Sequence, residues 1–459
     1  MIECRKFLNT FPKPRGFGFQ PKHLLSQLRL KAKATILKRM LVCLLLPWLI
    51  GSIAIQVTSA QEESTAWNRF RGPNGSGVDT SSELPTDLQS DKAAWKIKLV
   101  GSGHSSPVVA GDQVLVTSYT SGGELVLQSL EIASGKQTWN WKSPLSVAPM
   151  HRLNSPASST PATDSDNAYV LAFEPGHLRL FAINLQSGEK AWERDFGSWT
   201  AQHGFASSPI VIDKKVILVN SQEASQNGTP TANEMIAVNA TDGTDAWRRA
   251  LAENKASYSV PLVLADGKNG PSILCTTTAE GVYSTAVSDG KSEWQLSEPF
   301  PDRPVGSAIL HGRTIYAACG SGGGGKLLTA IDLDSPDHKP RFELHESVSY
   351  VPTPVFVNDF LFLFADSGIV SCVDPEKGDS IWRERICEGF WGSPVSDGRS
   401  LYCMDKTGVV HILAATNQFQ QTGKFPLGEP TSATPAIANG HLLLRTETGL
   451  SCFVGEALK

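Results

Sequence analysis

The side chains in this sequence that could do chemistry are scattered singly and form no compact motif. The densest group is Met150-His151-Arg152-Leu153-Asn154, where an imidazole, a guanidinium and a carboxamide crowd one short stretch. A surface loop gains little stability from such polar groups in a row, so they read as candidate ligand contacts. His104, Tyr258, Tyr350 and Trp391 each stand three or four positions before a proline or its equivalent, as do Phe205 and Phe390, and Trp199, His203 and Arg303 lie in similar connecting stretches. Aromatic, imidazole and cationic groups of this kind suit recognition of a ligand or peptide. They become a site only if the fold gathers them.

Local signatures of catalysis do not hold up. Gly320-Ser321-Gly322-Gly323-Gly324-Gly325-Lys326 has the spacing of a phosphate-binding loop, but Leu327 replaces the hydroxyl residue that would hold magnesium and no helical pattern follows. It reads as a hairpin. No Gly-x-Ser-x-Gly elbow and no His-Glu-x-x-His occurs. Pairs such as Asp164 with Asp166 and Asp332 with Asp334 fall at turns, where Asp bonds its own backbone. No catalytic residue and no metal ligand set is assigned.

The elements that must position the scattered residues are repeats. A Gly followed four residues later by Trp recurs at Gly135 and Trp139, Gly188 and Trp192, Gly243 and Trp247, Gly290 and Trp294, and Gly378 and Trp382. Units open at Pro107, Pro161, Pro209, Pro261, Pro354, Pro394 and Pro435, with Gly306-Ser307-Ala308 filling the one gap, so that eight starts lie 40 to 54 residues apart. Within a unit, short β-branched runs such as Val216-Ile217-Leu218-Val219 alternate with Asp, Gly and Asn turns, which predicts four antiparallel strands. Eight such units make an all-β, eight-bladed propeller over residues 95–459. An arm over 61–94 precedes it.

The Gly takes the positive-φ position of the turn before each outer strand, and the Trp packs into the seam between blades. A buried indole contributes about 4 to 6 kcal/mol at most. Two units depart from the pattern. The fifth has Phe342 without its Gly, and the seventh has Gly423 only two residues before Phe425, so both seams are expected to be looser. The last unit has room for three strands, and Trp95, in Ala93-Ala94-Trp95-Lys96-Ile97-Lys98-Leu99, is expected to supply the fourth and close the ring. In such a ring the segments before each opening residue meet at one channel mouth. That mouth would gather His104, His151, Asn154, His203, Tyr258, Tyr350 and Trp391, with Arg152 and Arg303 as cations. The blander alternative is that these side chains fill the channel or order its loops.

Ten of the 41 basic residues but only one of the 45 acidic ones fall within the first 39 positions, ahead of an apolar run from Met40 to Val57 and small residues ending at Ala60. That is an export signal over 1–60, with retention as an anchor through 40–57 as the alternative. Export to the periplasm or beyond follows. The remainder carries a net charge near −13, which argues against nucleic acid or anionic lipid as partner. Its six cysteines, Cys275, Cys319, Cys372, Cys387, Cys403 and Cys452, lie mostly inside strand-like runs and read as buried free thiols.

The unit Ala237-Val238-Asn239-Ala240-Thr241-Asp242-Gly243-Thr244-Asp245-Ala246-Trp247 resembles the Trp-docking repeat of the pyrroloquinoline quinone (PQQ)-like propeller family. That family includes quinoprotein alcohol dehydrogenases and the lipoprotein subunit of the outer-membrane β-barrel assembly machinery. The arm around Phe70-Arg71-Gly72-Pro73, with His151 to Asn154 and Ala157 to Pro161, looks like an exported branch of planctomycete-type bacteria. The dehydrogenases typically carry an adjacent cysteine pair beside the cofactor. No two cysteines are adjacent here, and neither the calcium ligands nor the catalytic Asp can be matched to a position. The resemblance therefore implies a monomeric, non-catalytic scaffold in the cell envelope that binds a protein, peptide or glycan without a cofactor. The alternative is a PQQ- and calcium-dependent oxidoreductase with an atypical site.

Overall fold

The computed structural model describes residues 66–223, 232–252, 255–296, 300–322 and 324–457. The expected export segment lies outside the described residues. Eight four-stranded antiparallel sheets follow one another along the chain. The first comprises Val108–Ala110, Gln113–Tyr119, Glu124–Glu131 and Gln137–Pro144, running from inner to outer strand. Every inner strand begins one residue after its expected marker, at Val108, Ala162, Ile210, Leu262, Ile309, Val355, Val395 and Ala436. The middle strands are buried along almost their whole length because blades cover both of their faces, whereas Gln137–Pro144 alternates in exposure as an outer edge does.

The ring closes as the sequence implies. Trp95–Lys98 pairs antiparallel with Gly449–Val454, setting Trp95 opposite Cys452 and Ile97 opposite Leu450. This strand completes the eighth sheet. Ser82–Glu83 pairs in turn with Glu456–Ala457, so two N-terminal segments hold the C-terminal one. All six cysteines are free, and all but the half-buried Cys387 are buried. The glycine-rich stretch is a hairpin of the fifth blade, between Thr314–Ser321 and Gly324–Asp332.

The repeated Gly and Trp do not touch within one unit. Four of the tryptophans lie on the Gly of the next blade, so closely that a Cβ there would stand 2.6 Å from Trp95 at Gly135, 2.8 Å from Trp139 at Gly188, 2.7 Å from Trp192 at Gly243 and 2.5 Å from Trp247 at Gly290. These glycines have φ between 69° and 75°. Glycine is therefore required twice, for backbone and for space. Each indole N–H also donates across the seam, to Ile132, Leu185, Ala240 and Val287 carbonyl oxygens at 2.7 to 2.9 Å.

The two degenerate units follow different rules from each other. In the fifth, Phe342 takes the Trp place on Gly378, and His338 takes the Gly place with φ 47°, its ring 4.4 Å from that of Trp294. In the seventh, the sequence reading picked the wrong register. Ile412 faces Gly423, where the third blade has Ala237 facing Trp247. Gly423 therefore holds the Trp place and Phe419 the Gly place, against which Trp382 packs edge-on at 5.3 Å. A bulge follows that pair in both blades, which is what separates Gly and Trp by four residues. The seam left without an indole is covered by the arm. Leu84 and Leu88 are buried in the core of the last blades, and the Thr86 carbonyl oxygen lies 2.9 Å from where a Gly423 Cβ would be.

Earlier in the arm, residues 67–79 lie across the propeller axis. The Trp67 carbonyl oxygen accepts from Val109 N in the first blade, Asn68 exchanges bonds with Thr163 in the second, and Asn74 with Val263 in the fourth. Arg71 donates to the Pro354 and Pro394 carbonyl oxygens of the sixth and seventh blades at 2.8 and 2.6 Å. The sequence marked these residues as irregular, and the structure makes them the plug of the channel.

Candidate functional site

Between the plug and the connecting loops of one face lies a cup of about 660 Å³ with Phe70 among the residues lining it. Its wall is a belt made by the residues that stand two positions before the inner strands. Ser106, Thr160, Ser208, Ser307, Thr353, Ser393 and Thr434 all line the cup. The backbone N–H of one blade donates to the hydroxyl of the next, as in Ser106 to Thr160, Thr160 to Ser208, Ser307 to Thr353, Thr353 to Ser393, Ser393 to Thr434 and Thr434 to Ser106, at 2.9 to 3.1 Å. Val260 N donates to Ser307 in the same way, and the belt is interrupted where Val260 itself replaces a hydroxyl residue. Each belt hydroxyl accepts one amide N–H, which leaves its proton to point elsewhere.

Above the belt the structure gathers His104, His151, Asn154, His203, Tyr258, Tyr350 and Trp391, seven of the nine expected residues. His151 and His203 meet edge to face at 5.3 Å. Asn154 is a tie within the loop. Its amide donates to the His203 and Phe205 carbonyl oxygens at 2.8 and 3.2 Å, and its own oxygen accepts from Ser155 N and the Ser158 hydroxyl. The other two expected residues lie elsewhere. Arg152 is exposed and outside the cup lining. Arg303 is buried behind the wall, where it pairs with Glu223 and sits 5.8 Å from the Tyr258 ring. Trp199, Phe205 and Phe390 are core residues.

Sequence reasoning missed the cations. Lys326, the lysine of the glycine-rich hairpin, reaches the cup and pairs with Asp366 at 2.9 Å. Lys406 lies 4.1 Å from the centroid of the Trp391 ring and donates to the Asp366 carbonyl oxygen at 3.1 Å. Arg445 is wholly buried and donates to the Ser105 carbonyl oxygen at 2.7 Å. Burial brings Arg69 down to about 10 and Arg71 and Arg445 down to about 9. All three stay charged at neutral pH. His104 is pushed down to about 4 by burial and then by Arg445. His203 is lowered by burial, then by Arg303 and His151, against the opposing pull of Glu223.

A second polar cluster, Cys387, Asp405 and His411, brings its donor atoms within 4.8 Å of one another. Both imidazole nitrogens are engaged there, Nε2 with Asp405 at 3.0 Å and Nδ1 with Gln421 at 3.1 Å. Burial works to raise the Asp405 carboxyl, yet bonds from His411, Thr407 and Val409 hold it at about 2. The cluster is a satisfied buried network.

Eight blades, four of whose seams are fastened by a tryptophan docked on a glycine, define a propeller of the PQQ-like class. Residues 85–230 and 197–423 match the family described as outer membrane protein assembly factor BamB, and the chain belongs to that family. BamB of Burkholderia pseudomallei is 22% identical over 397 residues, covering 82% of this chain and 92% of that protein. The quinoprotein ethanol dehydrogenase of Pseudomonas putida is 23% identical over 198 residues, 39% of this chain and 29% of that protein. The crystal structure of BamB from Moraxella catarrhalis superposes with a TM-score of 0.60 at 15% identity, over 80% of this chain and 98% of that one.

Proposed function

We propose that this chain is a non-catalytic binding module of the cell envelope, exported as a monomer, which docks a protein partner at the rim of the cup. The extent of the similarity carries this reading. It runs through 92% of a BamB protein, whose name describes outer membrane protein assembly, but through only 29% of a quinoprotein dehydrogenase. Sequence similarity to that enzyme is thus confined to part of it, whereas the fold is common to both kinds of protein and favours neither. A peptide or glycan at the same rim is compatible with the geometry.

The cup residues also fit a calcium-held quinone poorly. Calcium takes six to eight oxygen ligands, several of them carboxylate. Asp366 is the carboxylate among the described residues lining the cup, and it already holds Lys326 and accepts from the Tyr350 and Val351 amides at 2.8 and 3.0 Å. The test has two parts. Crosslinking from native envelopes should recover a defined partner, and titration with PQQ and calcium should give neither saturable uptake nor alcohol-dependent dye reduction. Uptake with turnover would replace the scaffold by an oxidoreductase. N-terminal sequencing of the native protein would establish export and cleavage.

A further inference from the structure

The charge of the cup is opposite to that of the molecule around it. Beyond residue 60 the chain is near −13, yet the charged residues lining the cup are Lys326, Lys406 and Asp366, two cations against one acid, and behind that lining the guanidinium groups of Arg69, Arg71 and Arg445 are spent on carbonyl or hydroxyl oxygens. Lys406 likewise rests on a carbonyl and an indole face. None of the four has a carboxylate partner among the described residues. The acids nearby are neutralised already, Asp366 by Lys326 and Glu223 by Arg303. Low-dielectric walls concentrate the field of such unpaired charges, and buried charge without a counterion is costly. His104, which lines the cup, is lowered by burial first and by Arg445 second.

The donors available are of one kind. The belt amides that an extended peptide would need for strand pairing are consumed by neighbouring hydroxyls. What lines the lumen is side-chain hydroxyl and ammonium groups, the imidazoles of His104, His151 and His203, and the rings of Tyr258, Tyr350 and Trp391. The plug makes the cup blind, and about 660 Å³ holds one or two sugar rings but no through-going chain. We infer that the cup receives the terminal ring of an acidic saccharide, of the uronic-acid type, with its carboxylate held by Lys406, its hydroxyls by the belt and its apolar face by Trp391 or the tyrosines. This rests on the reading of the cup as a binding site and not a redox centre.

The full exported chain should be titrated calorimetrically with digalacturonic acid, with the same disaccharide as its methyl ester, with sodium sulfate and with an acidic hexapeptide. Saturable binding of the acid, at least tenfold weaker for the ester and absent for sulfate and peptide, is the expected result. Lys406→Gln and Trp391→Leu should each weaken it at least fivefold while the unfolding midpoint stays within about 2 °C. Equal binding of the ester would remove the carboxylate from the argument. Binding of sulfate alone would leave an anion site without sugar recognition, preferential binding of the hexapeptide would assign the cup to acidic polypeptide, and no binding at all would overturn the inference. Loss of saccharide binding with a crosslinked envelope partner retained sinks this inference alone. Quinone uptake with turnover sinks the binding-module reading as well.

Discussion

The seam between the second and third blades and the seam between the seventh and eighth meet the same packing problem with different parts. At the first, Trp192 lies on Gly243 and its indole N–H donates to the Ala240 carbonyl oxygen at 2.9 Å, so residues about 50 positions apart supply everything. At the second, the eighth blade has no hairpin before its outer strand, because that strand is Trp95–Lys98 from the other end of the chain. A docked indole there would have no turn glycine to rest on. Gly423 stands in its place, and the arm lays Leu84, Thr86 and Leu88 over the gap. A repeat can fasten itself wherever it is continuous, while the point of closure needs material from outside the repeat.

Removing that outside material should have the largest effect. Deleting residues 61–100 takes away the plug, the seam cover and the closing strand together, and should cost more than about 5 kcal/mol, beyond the ordinary range of a single substitution. Denaturant unfolding measures it, and a truncated chain of unchanged midpoint would show that the ring does not depend on closure. Trp192→Ala should come next, at about 3 to 5 kcal/mol. Phe342→Ala at the fifth seam should cost about 1 kcal/mol less, since Phe342 makes no indole hydrogen bond across to its Gly378 neighbour. Equal losses would mean that the N–H bond contributes nothing to a seam.

The contrast also explains what could be read in advance. Blade number, strand boundaries and the closing strand were legible because they rest on local periodicity and a repeated turn residue. The register of the seventh blade was not, because Phe425 imitates an outer-strand aromatic and the true position holds Gly423. At the cup, His104, Tyr258, Tyr350 and Trp391 could be found from their distance to the opening residue. Lys326, Lys406 and Arg445 enter from elsewhere in the blades, and no spacing announces them. The belt residues stand just before the opening residues, with Val260 the exception, but the hydrogen bonds that join them are a relation between blades. Phe70 and Arg71 gave no periodic signal, since a plug is not a repeat.

The cup should reveal its charge through pH. His104 is held near 4 in the folded protein, by burial first and Arg445 second, against 6.5 in the unfolded chain. Above pH 6.5 it is neutral in both states and contributes nothing. Between 6.5 and 4 the unfolded chain takes up a proton that the folded one refuses, so stability falls as pH falls. The loss approaches about 3 kcal/mol as an upper bound and levels off below pH 4. His104→Gln should remove that component, so that the difference from the parent protein grows from pH 7 to pH 4. A constant offset at both pH values would mean that neither burial nor Arg445 holds His104 neutral in the folded protein.

The smallest effect separates the two kinds of polar residue in the 147–154 loop. His151 and Arg152 are both exposed, and the contacts of His151 are the edge of His203 and the Leu153 amide at 3.3 Å. Replacing both with Ala should change stability by less than about 1 kcal/mol, as surface substitutions do. Asn154→Ala would strand the Phe205 carbonyl oxygen and the Ser158 hydroxyl in a half-buried setting, while the His203 carbonyl oxygen keeps His151 N and Ser155 N keeps the Ser158 hydroxyl, and should cost about 1 to 3 kcal/mol. If the double variant proves the more destabilising, the loop is held by its imidazole and not by its carboxamide. His151 would then belong with the tryptophans as a fastener of the ring, and the rim of the cup would begin at His203.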